Sequence, residues 1–151
     1  MQGPIARSSA DFITAGGAYV LAIRLDRPVE IRARSLAAAS LLPGWYAYAG
    51  SARGPGGLAA RIRRHLRTDK TLRWHIDRLT IAAAEIEALA FPGDNECALL
   101  ARLLETPGAA VPLPGFGSSD CRACPAHLVA LAGRLGWDAP ARTTATLSLG
   151  Q

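Results

Sequence analysis

The stretch WYAYAGSARGPGGLAARIRRHLR, residues 45–67, passes from one backbone period to another within a single run. It opens by alternating, so that Tyr46 and Tyr48 share one face of a short strand, because successive strand side chains point to opposite sides. Gly54, Pro55, Gly56 and Gly57 then punctuate the chain. Beyond them Leu58, Ile62 and Leu66 recur at every fourth position, the apolar stripe of a helix, and Arg61 and His65 share a neighbouring face. A strand that feeds a helix through a glycine turn predicts an α/β domain.

Upstream, GAYVLAIRL (Gly17–Leu25) is rich in β-branched and aromatic residues, Asp26-Arg27-Pro28 signals a turn, and VEIRAR (29–34) alternates. The two runs read as a hairpin. Downstream, Thr71 opens a second short helix carrying Leu72, Ile76 and Leu79, and residues 80–91 read as a strand. Asp94 is the expected N-cap of a helix bearing Glu96, Leu99, Leu100 and Leu103. After a Gly- and Pro-rich loop over 107–117, Pro125 suits the first position of a last helix running to Leu135. The sequence thus divides into an N-terminal arm (1–16), one α/β domain (17–137) with a small, mainly antiparallel sheet flanked by helices, and a frayed tail (138–151).

At 151 residues the chain is one domain's worth, able to bury roughly two-thirds of its unfolded surface. With 50% hydrophobic and 19% charged residues it is not of the disordered class. No apolar run approaches the roughly 20 residues that span a bilayer, so no membrane role is expected. The start, MQGPIARSSADF, lacks the basic and apolar segments of a secretory signal, which gives a cytoplasmic expectation. Three cysteines then suggest thiols or a metal site rather than a disulfide framework.

Net charge is +5, and it is concentrated. Between Arg53 and Arg78 lie eight of the 17 basic residues and two of the 12 acidic ones, so the rest of the chain is one unit negative. A local positive segment on a near-neutral domain is the footprint of a polyanion site, since displaced counterions reward local charge. It reads equally as the solvated face of an Arg-rich helix. Within it Arg53, Arg64 and Lys70 are candidate substrate contacts, and the backbone at Gly54 could cradle phosphate at the start of the helix. In WHID, His75 could meet a phosphate, Trp74 could stack on a base or pack on the sheet, and Asp77 could bind metal or pair with Arg73 or Arg78.

Phosphodiester hydrolysis would suit several of these residues. Attack builds negative charge on nonbridging oxygens, which a guanidinium such as Arg61 matches two at a time. Glu96 is the oxygen ligand that Mg²⁺ or a similar divalent cation favours, though an acidic residue in a first helical turn also suits the helix dipole. Tyr48, with Tyr19 beside it and its phenol lowered or positioned by nearby cations, could orient water or act as base. His65 could share that role or contact phosphate. Both tyrosines read as well as core aromatics. Cys97, Cys121, Cys124 and His127 form a Cys₃His set on paper, with a CxxC step that zinc could use.

The ordered set of Gly17-Ala18-Tyr19, Tyr48-Ala49-Gly50, Arg61 with His65, and Glu96 resembles the GIY-YIG nuclease superfamily. The runs YAGSARGPGGLAARIRRHLR, KTLRWHID, NECAL and PGFGSSDC are similar to an uncharacterised subfamily also found fused to endonuclease III, over about residues 17–131. The resemblance implies a GIY-YIG-like fold and a metal-dependent endonuclease acting on DNA in repair or processing, alongside a repair-protein partner. It implies Arg61 at the scissile phosphate and a divalent cation, Mg²⁺ first, on Glu96. Two features depart from it: 28 residues separate Tyr19 from Tyr48, which suits an additional strand over 29–34, and two residues separate Cys121 from Cys124. The alternatives are a non-catalytic nucleic-acid-binding module and a zinc-stapled interaction domain.

Overall fold

A computed structural model describes residues 15–33, 36–116 and 126–146. The elements run β1 (Gly17–Leu25), β2 (Val29–Ala33), β3 (Leu36–Leu41), β4 (Gly44–Ala52), α1 (Gly57–Leu66), α2 (His75–Ala82), β5 (Glu85–Pro92), α3 (Glu96–Leu104), β6 (Leu128–Leu131) and β7 (Ala141–Thr146). Five strands form an antiparallel sheet in the order β6-β4-β1-β5-β7, and β2 pairs with β3 in a separate two-stranded sheet. This is a mixed α/β domain.

Alternation along β1 builds two cores. Tyr19, Leu21, Ile23 and Leu25 face one cluster with Leu58 and Ile62 of α1 and Ile76 and Leu79 of α2. Ala18, Val20 and Ala22 face the other, with Leu99, Leu100 and Leu103 of α3. Each wholly buried leucine or isoleucine contributes about 1.5–3 kcal/mol, so the stripe of α1 is what fastens that helix to the sheet. Glycine is required at positions 56 and 50. Gly56 adopts φ +82°, and a Cβ on it would lie 2.6 Å from Cβ of Ala60. Gly50 lies opposite Tyr19 in the register, where a Cβ would stand 2.5 Å from Tyr19 Cζ. The tyrosine therefore lies flat over a backbone that carries no side chain.

Five expectations are corrected. β1 and β2 are joined by the Asp26–Pro28 turn but do not pair, because β4 and β5 already occupy both edges of β1. The second helix starts at His75 rather than Thr71 and takes the first residues of the run read as strand. The segment read as a helix from Pro125 to Leu135 contains β6, since an apolar run this short follows the free edge of β4 rather than its own period. The tail read as frayed contains β7, whose Ala141 and Thr143 are buried against β5. The N-cap of α3 is Asn95, one residue after Asp94, with its side-chain oxygen accepting from the amides of Cys97 and Ala98. Residues 1–14 of the expected arm lie outside the described residues, while the carbonyls of Ala15 and Gly16 accept from Leu58 and Gly93.

Candidate active site

The β1–β4 register sets Tyr19 opposite Gly50 and Leu21 opposite Tyr48, so both phenols share the face on which α1 packs. On α1, His65 is buried at 1% exposure and its Nε2 lies 2.6 Å from the Tyr19 hydroxyl. Its Nδ1 is buried, with no hydrogen-bond partner among the described residues. The ring of Tyr48 lies 6.3 Å from that of His65, 6.4 Å from Phe116 and 6.5 Å from His127. Arg61, one turn before His65, is half-buried, and its Nη1 donates to the Ser51 carbonyl at 3.2 Å. Among the described residues Arg61 makes no ion pair. Glu96 opens α3 half-buried, with Oε2 4.0 Å from Nδ1 of His127.

Burial governs the protonation of this cluster. It lowers His65 to about 3, with Lys70 adding to the effect, so the imidazole is neutral at pH 7. Burial also raises Tyr19 well above the ordinary phenol range, reinforced by Tyr48 and opposed by Arg61. Tyr48 is raised as well, by burial first and then by Glu96, with Arg61 opposing. The expectation of a phenol lowered by cations is thus corrected: one guanidinium does not offset desolvation and a facing carboxylate. Glu96 is close enough to act on both tyrosines. Tyr19, Tyr48, Arg61 and His65 therefore form one cluster, with the Glu96 carboxylate within electrostatic reach of both tyrosines, but His65 is too buried to touch phosphate.

The expected substrate contacts divide. Arg53 is exposed and lines a shallow cleft with Gly16, Gly17, Gly93, Asp94 and Asn95. Arg64 is taken up by Asp77 in two parallel bonds of 2.9 and 3.0 Å. Lys70 Nζ donates to the carbonyls of His65 at 2.7 Å and Arg64 at 3.1 Å, which ties off the end of α1, and burial lowers it to about 8. The Gly54 carbonyl accepts from Gly57, so this turn spends that amide on itself. His75 packs on Phe116, ring centroids 5.3 Å apart, one ring removed from Tyr48.

Asp77 does not pair with Arg73 or Arg78. Fully buried, it holds Arg64 and accepts from the amides of Arg73 at 2.8 Å and Trp74 at 3.0 Å. Burial alone would raise its pKa, but these bonds outweigh it and bring the carboxyl to about 2. Cys97 is disulfide-bonded rather than a free thiol, while Cys121 and Cys124, the other thiols of the expected zinc set, lie outside the described residues. Sequence reasoning placed His127 in that zinc set; the structure puts it between Tyr48 and Glu96. No local period marks it, because the edge pairing of β6 is what brings it there.

A small sheet with a tyrosine pair, a buried histidine and an arginine on the next helix defines a compact α/β domain with one polar cluster at its centre. The chain belongs to the family described as Domain of unknown function DUF123, whose sequence profile matches residues 18–142. No match was found among the curated proteins or the solved structures. Among the described residues no helix is long and apolar enough to cross a membrane.

Proposed function

We propose that this domain is a metal-dependent nuclease that hydrolyses phosphodiester bonds, with DNA as its substrate. One observation carries the reading. Two phenols and a guanidinium that makes no ion pair among the described residues lie on one face of the sheet, a half-buried carboxylate at the start of α3 acts on both phenols, and the guanidinium belongs to the most basic segment of the chain.

The donor set at Glu96 is a single carboxylate, its 4.0 Å separation from His127 is loose, and among the described residues no cluster of three ligands forms. That fits a largely hydrated Mg²⁺, which needs only one or two protein carboxylates. When bound, such an ion would lower the pKa of water or neutralise a leaving oxygen. The protein's own groups do the rest. Arg61 offers fixed donors to the nonbridging oxygens as their charge grows. Tyr48, neutral at pH 7, orients the attacking water through its phenol oxygen. Tyr19 and His65 form a neutral, buried pair that fixes the floor on which Tyr48 and Arg61 stand.

Incubating branched, nicked and linear DNA with Mg²⁺ tests this. Wild type is expected to cut at least one form, and Arg61→Ala and Glu96→Ala to lose cleavage. Activity surviving either substitution means the site is wrong. Binding that weakens steeply with salt, without cleavage of any form, would make this a binding module instead.

A further inference from the structure

Trp74 stands immediately before α2, and Asp77 pins it there by accepting from its amide and from that of Arg73. The same carboxylate holds Arg64. The indole consequently lies across one face of α1: Arg64 Cζ stands 4.1 Å from the ring centroid, Arg61 Cζ 4.8 Å, and the His65 ring 5.8 Å. Arg73 Cζ is a third cation, at 5.9 Å. A ring shared by three guanidiniums is already engaged and has a use other than stacking on a base.

Arg61 is the residue for which this matters. Arg64 is fixed by two charged hydrogen bonds to a carboxylate, whereas Arg61's guanidinium group has no carboxylate partner among the described residues and meets the Ser51 carbonyl, the Tyr19 phenol and the indole. An arginine loses considerable rotamer freedom when held in one geometry, and a guanidinium over the face of a tryptophan is the strongest of the aromatic cation contacts. Resting on the proposed role of Arg61, we infer that Trp74 is a positioning residue: with Asp77 and Arg64 as its anchor, its ring holds the Arg61 guanidinium in the orientation that it offers to a phosphate. The assembly runs from a buried carboxylate, through a tryptophan at a helix start, to a cation on the neighbouring helix.

Two readouts test this, one of them free of substrate. In the first, the Arg61 Nε–H signal is followed by NMR in wild type, Trp74→Leu and Trp74→Phe, without DNA. Wild type and Trp74→Phe are expected to show an ordered Arg61 side chain and Trp74→Leu a mobile one. Equal order in Trp74→Leu overturns the inference, whether or not the protein proves to be a nuclease. In the second, Trp74 alone is replaced by tryptophans carrying one to four ring fluorines, which withdraw electron density at nearly constant volume. The expected result is a stepwise fall in kcat, about five-fold or more across the series, with KM within about two-fold and an unchanged melting midpoint. A kcat indifferent to fluorination contradicts the positioning role. If Trp74→Leu does not fold, the fluorinated series read by the same Arg61 signal decides.

Discussion

Two carboxylates act on Tyr48 and have opposite surroundings. Asp77 is fully buried and accepts two bonds from Arg64 and two from backbone amides. Glu96 is half-buried, with its carboxylate 4.0 Å from His127. Their arginines differ in the same way, although Arg61 and Arg64 are only three positions apart on α1. The saturated corner is where a charge pair is spent on architecture. The other corner holds a cation and an anion close enough to act on the same two tyrosines without closing on each other. A carboxylate whose bonding capacity is already filled cannot take a metal ion, and a guanidinium already forked onto a carboxylate cannot fork onto a phosphate.

Substitutions at the two corners should therefore separate stability from activity. The largest effect is expected at the open one. Arg61→Ala should lower cleavage by about 10²–10³-fold, the usual loss of one donor to a developing oxyanion, while changing unfolding free energy by no more than about 1 kcal/mol. Cleavage and urea unfolding measured on one preparation check this. At the closed corner Asp77→Ala leaves Arg64 without its carboxylate and frees two amides, and should cost about 3 kcal/mol of stability. A cost near that of a surface substitution would erase the contrast.

A smaller effect lies beneath the tyrosines. The folded-state pKa of His65 is about 3 against 6.5 unfolded, so the unfolded chain binds the additional proton. The contribution is fully present above pH 6.5 and is lost as pH falls from there toward 3. Between pH 7 and pH 5 the loss should be about 2 kcal/mol, and it should vanish in His65→Gln. Smallest is Lys70, which caps the last carbonyls of α1; Lys70→Met should cost about 1 kcal/mol in thermal or urea unfolding.

The same contrast explains what the sequence made legible. The β4–turn–α1 run carried its own periods and glycines, so the strand, the helix and the placement of Arg61 and His65 on it could be read locally. Spacing alone made Arg64 nearly as natural a site residue as Arg61. What separates them is Asp77, 13 positions on from Arg64, whose carboxylate reaches back across the loop. No helical or strand period encodes that contact. β6 and His127 escaped for the same reason: LVAL fits a helix or a strand, and the unpaired edge of β4 decides. The β7 strand, ARTTAT, did carry a signal in its β-branched threonines, with buried Ala141 and Thr143 alternating with exposed Arg142 and Thr144.

The most direct measurement is the Mg²⁺ dependence of DNA cleavage by wild type and Glu96→Gln, each matched for melting midpoint. The expected result is a wild-type rate that rises to saturation with Mg²⁺, and a variant of unchanged stability slower by about 100-fold or more at every concentration. A glutamine variant that cuts at the wild-type rate, or a wild type that cuts no form of DNA at any Mg²⁺ concentration, would contradict it.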